Sequence, residues 1–147
     1  MIKISHRGNI NGRIPELENT KSYIEEALSN NFDVEIDVRF CGNKLWMGHD
    51  ELDEEIDIEW IYAHKERLWV HCKDIESILY LRQAPSEIHY FGHTNDPFVL
   101  TSRKFLFCIP NNNLDQNCVM VMPEHFNFTP RPDNKAGAVL TDFPINY

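Results

Sequence analysis

Strand-like and helix-like runs alternate along this chain from Ile2 to His93, and after that the helix-like ones stop. IKISH (2–6) reads as a strand. TKSYIEEALSNN (20–31) follows, with Tyr23, Ile24, Ala27 and Leu28 at helical spacing and acidic residues on the other face. VEIDVRF (34–40) alternates strictly and reads as a second strand. CGNK is a turn, LWMGHD returns as an extended piece, and 50–57 is an acidic run. A short helix is expected over 58–66, a strand at LWVHCK (68–73), a helix at DIESILYLRQ (74–83) with Asp74 as N-cap, and a strand at EIHYFGH (87–93). Four extended runs then follow: FVLTS, FLFCI, CVMVM and GAVLTD. Pro- and Asn-rich joins link them.

Strand–helix alternation argues for a parallel sheet with helices outside it. Counted generously there are eight strands. The expected fold is therefore α/β: one domain over residues 1–147, a compact TIM-like (β/α) barrel with helices reduced or missing in its C-terminal half. A full (β/α)8 barrel takes roughly 250 residues, so this one is expected to be stripped down or not fully closed.

The net charge of −9 argues against a nucleic-acid or anionic-membrane surface. It leaves room for one small phosphate pocket. No apolar run is long enough to span a bilayer, and polar residues interrupt the N-terminus. Cys41, Cys72, Cys108 and Cys118 are widely spaced, which disfavours a zinc knuckle and suits reduced thiols in a cytoplasmic protein.

Alternation puts Glu35, Asp37 and Arg39 on one face of their strand. Two carboxylates on the same face, their Cα atoms about 6.5–7 Å apart along the strand, repel unless a cation, proton or basic group intervenes. A hard divalent metal and a solvated face are both open on this strand alone. Trp69, His71 and Lys73 likewise share a face. Near the C-terminal end of a parallel strand they fall where such sheets build sites. His49 in WMGHD is unremarkable alone. With His6 in SHRGN it offers two imidazoles for acid–base work near neutral pH.

Together, His6-Arg7-Gly8, Glu18-Asn19-Thr20, Glu35-Ile36-Asp37 and His49-Asp50 resemble, in order, the motifs of the glycerophosphodiester phosphodiesterase family. That family belongs with the phosphatidylinositol phospholipase C-like barrels. Cys72-Lys73 is similar to the end of its Glu-x-Lys strand, and VLTDFP to its closing TDxP. The stretch 75–136 matches weakly. The resemblance implies metal-assisted hydrolysis of a phosphodiester. It would make His6 and His49 the catalytic pair, Arg7 and Lys73 phosphate-binding, and Glu35 and Asp37 ligands of one divalent cation. Glu18 and Asn19 would support them.

Leu17 stands where the family has proline, and His71 where it has a third glutamate. As a ligand, His71 shifts the expected cation from calcium towards magnesium, manganese or zinc; alternatively it contacts phosphate and no metal binds tightly. The chain is also short. His71-Cys72-Lys73, Leu100-Thr101-Ser102, Pro123-Glu124 and Thr141-Asp142 resemble elements of short relatives associated with surface-polysaccharide genes. That moves the expected substrate towards phospho-sugar or nucleotide-linked diesters. A phosphodiester-binding pseudoenzyme and a lyase releasing a cyclic phosphate are the alternatives.

His93 and Glu124 follow expected strands and are further supporting candidates; the alternative for His93 is a loop residue capping Asp96. Trp46 suits either the core or stacking on a sugar or base. Phe98, Phe105, Phe107, Phe126 and Phe128 crowd the helix-poor half, so a homo-oligomer burying that side is expected.

Overall fold

A computed structural model describes all 147 residues, Met1–Tyr147. The elements run in the order β1 (Ile2–His6), α1 (Lys21–Ser29), β2 (Asp33–Cys41), β3 (Lys44–Met47), β4 (Glu54–Ile56), α2 (Ile58–Ala63), β5 (Leu68–Cys72), α3 (Ile75–Leu81), β6 (Tyr90–Gly92), β7 (Phe98–Leu100), β8 (Leu106–Cys108), β9 (Cys118–Val121) and β10 (Ala138–Thr141). Asp57 and Asp74 cap α2 and α3, accepting from the backbone N–H of Trp60 and Ser77.

All ten strands belong to one sheet. A parallel row, β6–β5–β2–β1–β10–β9–β8, forms its body. The β2–β3 and β3–β4 pairs are antiparallel, as is β7 on β8. Phe91 of β6 and Phe107 of β8 come from opposite ends of the parallel row, yet their ring centroids are 4.4 Å apart. The face that carries them is therefore the inside of a curl.

The expected TIM-like barrel is corrected here. That architecture needs eight alternating β/α units, and this chain has three α-helices on a curled, mixed half-barrel sheet. No ladder joins β6 to β7 or β8; Ser102, just past β7, donates from its N–H to the Tyr90 carbonyl at 2.9 Å. The reason lies in the joins. Residues 109–117 and 122–137 connect parallel strands without an α-helix, and both carry prolines and asparagines. Leu114 and Phe128 from these loops pack with Cys118, Met120 and Val139, covering the outer face where a helix would otherwise lie. The acidic run also hides a strand: Ile56 of β4 pairs with Leu45 of β3 and is buried.

β2 shows how the sequence builds the layers. Val34, Ile36 and Val38 are fully buried under α1 and α3, among Ile24, Leu28, Ile61, Val70 and Leu81. Glu35 and Asp37 point to the inner face. There the floor is apolar, made by Ile4, Trp69, Phe91, Phe107, Val119 and Leu140. Each such side chain contributes roughly 1.5–3 kcal/mol by burial. Phe105 and Phe107 belong to this interior, whereas Phe98 and Phe126 are exposed. Cys72, Cys108 and Cys118 are buried, Cys41 is exposed, and all four are free. No helix is long and apolar enough to cross a membrane.

Candidate functional site

The inner face carries polar side chains above its apolar floor, towards the C-terminal ends of the parallel strands. His6 ends β1, and Asp142 follows β10 directly. The parallel β1–β10 register pairs Ser5 with Thr141, which brings the next two residues side by side. His6 Nδ1 lies 2.8 Å from Asp142 Oδ1. Asn9 Nδ2 donates to the same oxygen at 2.8 Å and to Glu18 Oε1 at 3.0 Å. Burial alone would lower the His6 pKa, but the Asp142 hydrogen bond and the Glu35 charge outweigh it and the net shift is upward. Burial likewise pushes Asp142 up, and His6 and Asn9 overcome it, so Asp142 sits below the usual carboxylate range.

Arg7 follows at φ +56°, in the left-handed region, and Asn19 adopts the same φ while donating its N–H to the Arg7 carbonyl at 3.2 Å. Asparagine tolerates that conformation; arginine is strained there. Gly8 must be glycine: its φ is +96°, and a Cβ would sit 2.6 Å from Tyr23 Cδ1. This turn aims Arg7 inward. Its Nε lies 2.7 Å from Asp37 Oδ2, at an angle short of hydrogen-bond alignment, and its Nη1 donates to Glu18 Oε2 at 3.3 Å. Asn19 donates to Asp37 Oδ2 and accepts from the Asp37 N–H, both at 3.0 Å. Glu18 also accepts from Arg13 Nε at 2.9 Å.

The β2–β5 register sets Asp37 opposite His71. His71 Nδ1 is 3.4 Å from Glu35 Oε1 and 3.3 Å from Asp37 Oδ1, and Lys73 Nζ is 3.7 Å from Asp37 Oδ1. Glu35 and Asp37 are 2% and 0% exposed, so two buried carboxylates must be neutralised by their neighbours. Burial raises the Asp37 pKa, but His71, Arg7 and Asn19 reverse that and hold it well below normal. Burial lowers the His71 pKa, and Asp37 and Glu35 reverse that, raising it.

The ligand atoms of Glu35, Asp37 and His71 all lie within 4.8 Å of one another. Glu35 Oε2 and Asp37 Oδ1 are buried without hydrogen-bond partners. Two buried carboxylate oxygens that accept no hydrogen bond, beside an imidazole, fit a divalent cation of the magnesium, manganese or zinc type, with fewer oxygens than calcium takes.

His49 is peripheral. It is half-exposed and paired with exposed Asp50 at 2.9 Å. It shares with Arg7, Arg13, Glu18, Asn19 and Asp53 a cavity of about 200 Å³ lined mostly by charged and polar side chains, with Pro15 among them. Its loop turns on Gly48, where a Cβ would meet the Glu51 carbonyl at 2.0 Å. His93 stacks on His71 at 4.7 Å with a 4° tilt, and His71 also stacks on Phe91. His93 makes no hydrogen bond to Asp96, and its buried Nδ1 has no partner. Burial, then the charges of His71 and Lys73, lower its pKa. Trp46 donates from Nε1 to the Cys41 carbonyl at 3.3 Å.

Glu124 lies behind Asp142: its Oε1 accepts from Thr141 Oγ1 and the Asp142 N–H, both at 2.8 Å. The sequence marked the TD pair only as a motif. Asp142 is in fact the residue that orients His6, and Asn9, the last residue of SHRGN, bridges Asp142 to Glu18.

No known family model, curated protein or solved structure matches this chain.

Proposed function

We propose that this chain is a phosphodiesterase akin to the glycerophosphodiester phosphodiesterase family. The observation that carries the proposal is the convergence of an oriented histidine (His6–Asp142), two cations (Arg7, Lys73) and a buried Glu35–Asp37–His71 cluster on one inner face. Asp142 occupies Nδ1 of His6 and fixes its tautomer, which leaves Nε2 to move a proton. His49, in the cavity beside Arg7, serves as the second acid–base group. Arg7 and Lys73 offset the charge on the phosphoryl oxygens. Glu35, Asp37 and His71 would hold a divalent cation, which when bound supplies further charge stabilisation to the phosphoryl group.

The attacking group is water or a substrate hydroxyl beside the phosphate. The substrate class is a small phosphodiester, of the glycerophosphodiester, phospho-sugar or nucleotide-linked kind. The setting proposed is cytoplasmic. We also propose self-association through the helix-poor side, where Phe98, Leu100, Ile109 and Phe126 are 46–63% exposed.

One observation favours a second reading, a phosphodiester-binding protein without turnover. The chain's own Arg7, His71 and Lys73 already neutralise Asp37. A diester panel assayed metal-free and with magnesium, manganese, calcium or zinc separates the two. Phosphorus NMR of the product separates hydrolase from cyclising lyase. Metal-dependent turnover lost in Glu35→Gln supports the enzyme, and binding without turnover under every condition supports the binder.

A further inference from the structure

Arg39 has no part in the chemistry above, yet it is the one cation of this face left without a carboxylate. It follows Asp37 on β2 by two residues and so shares its face. The pairing of Val38 with Cys72 sets it level with Lys73. Arg7 and Lys73 both pair with Asp37, whereas Arg39 has no carboxylate oxygen within 4.0 Å. Its Nη2 donates to the His49 carbonyl at 2.6 Å. Its Nε is buried and has no hydrogen-bond partner.

A guanidinium carries five donors and no acceptor. A buried donor without a partner in a folded protein calls for an acceptor from outside the chain. The partner that suits a fork of N–H groups beside a lysine is a phosphate, which presents several acceptor oxygens and a negative charge.

We propose that Arg39 is a phosphate-binding residue of this site and that it ties the bound anion to the loop carrying His49. This rests on the phosphodiester reading given above. One guanidinium would hold the anion on one side and the His49 backbone on the other. Anion binding and His49 placement are then coupled.

The test measures binding of inorganic phosphate and of dimethyl phosphate by calorimetry, and follows the His49 ring by nitrogen-15 NMR, in the intact chain. Arg39→Gln should weaken both anions about tenfold or more and abolish the anion-induced shift of His49. Arg39→Lys keeps a point charge but loses the fork; it should bind within a few-fold of wild type and still lose the His49 response. If Arg39→Gln does not fold, as judged by circular dichroism, Arg39→Lys alone decides. Wild-type affinity and a wild-type His49 response in the variants that fold would overturn the proposal. A parallel loss of affinity in Lys73→Gln would then leave the phosphodiester reading intact. If the wild-type chain bound neither anion, both would fall.

Discussion

His6 and Asp142 lie 136 positions apart in sequence and 2.8 Å apart in space. Their pairing sets a pH window. Asp142 is held below its unfolded value, so its contribution to stability is present above about pH 4 and lost as pH falls through the folded value. His6 is raised, so its contribution is complete below about pH 6.5 and lost as pH rises through the folded value. Asp142→Asn should therefore cost most stability near pH 5 and less near pH 9, as denaturant unfolding at the two values would show. The same variant should lower the His6 pKa in an NMR titration. His89 works in the opposite sense. It is 2% exposed, and burial, then the Arg103 charge, depress its pKa to about 3. The unfolded chain binds this proton and the folded one does not. Stability should then fall by about 1.4 kcal/mol per pH unit between about pH 6.5 and the folded value. His89→Phe should flatten that slope by close to one proton. The sequence exposes Glu35, Asp37 and His71 as sharing faces because alternation is local. It hides the roles of Asp142 and Arg39, because those depend on a strand register and on a distant carbonyl.

The elements of the first half were legible because their apolar periods are local: β2, β5 and α1 stand close to where the pattern puts them. β4 was not, because Glu54 and Glu55 mask the single buried Ile56. On the outer face of β2, Val34, Ile36 and Val38 are all fully buried. Ile36→Ala should cost about 2–5 kcal/mol in chemical denaturation, as full burial predicts. Gly8→Ala tests the turn after β1. The φ of +96° and the Tyr23 contact predict clear destabilisation and a disturbed Arg7, read by melting temperature and by loss of phosphate binding. An equivalent change at Gly42, where a Cβ would meet nothing within 4 Å, should perturb packing far less, although its φ of +60° leaves a backbone cost.

At the scale of the whole molecule, the strand count pointed to a barrel, and the sheet is instead a curled mixed one. Pairing direction was the missing information. Nothing local in Phe98–Leu100 says that β7 runs antiparallel to β8, and short loops leave no helix to enforce the alternation. The inner face nonetheless gathers residues from β1, β2, β5, β6 and β10, and that gathering is what a binding site requires. If the Glu35–Asp37–His71 cluster takes a divalent ion, manganese or magnesium should raise the melting temperature in a concentration-dependent way, and Glu35→Gln should abolish the rise. The most direct measurement is hydrolysis of bis(p-nitrophenyl) phosphate by the wild-type chain, His6→Ala and the surface variant Lys44→Ala, each with and without divalent metal. The account predicts turnover by wild type and Lys44→Ala and a loss of about 10²–10⁴-fold in His6→Ala. Equal rates in all three, or none in any, would contradict it.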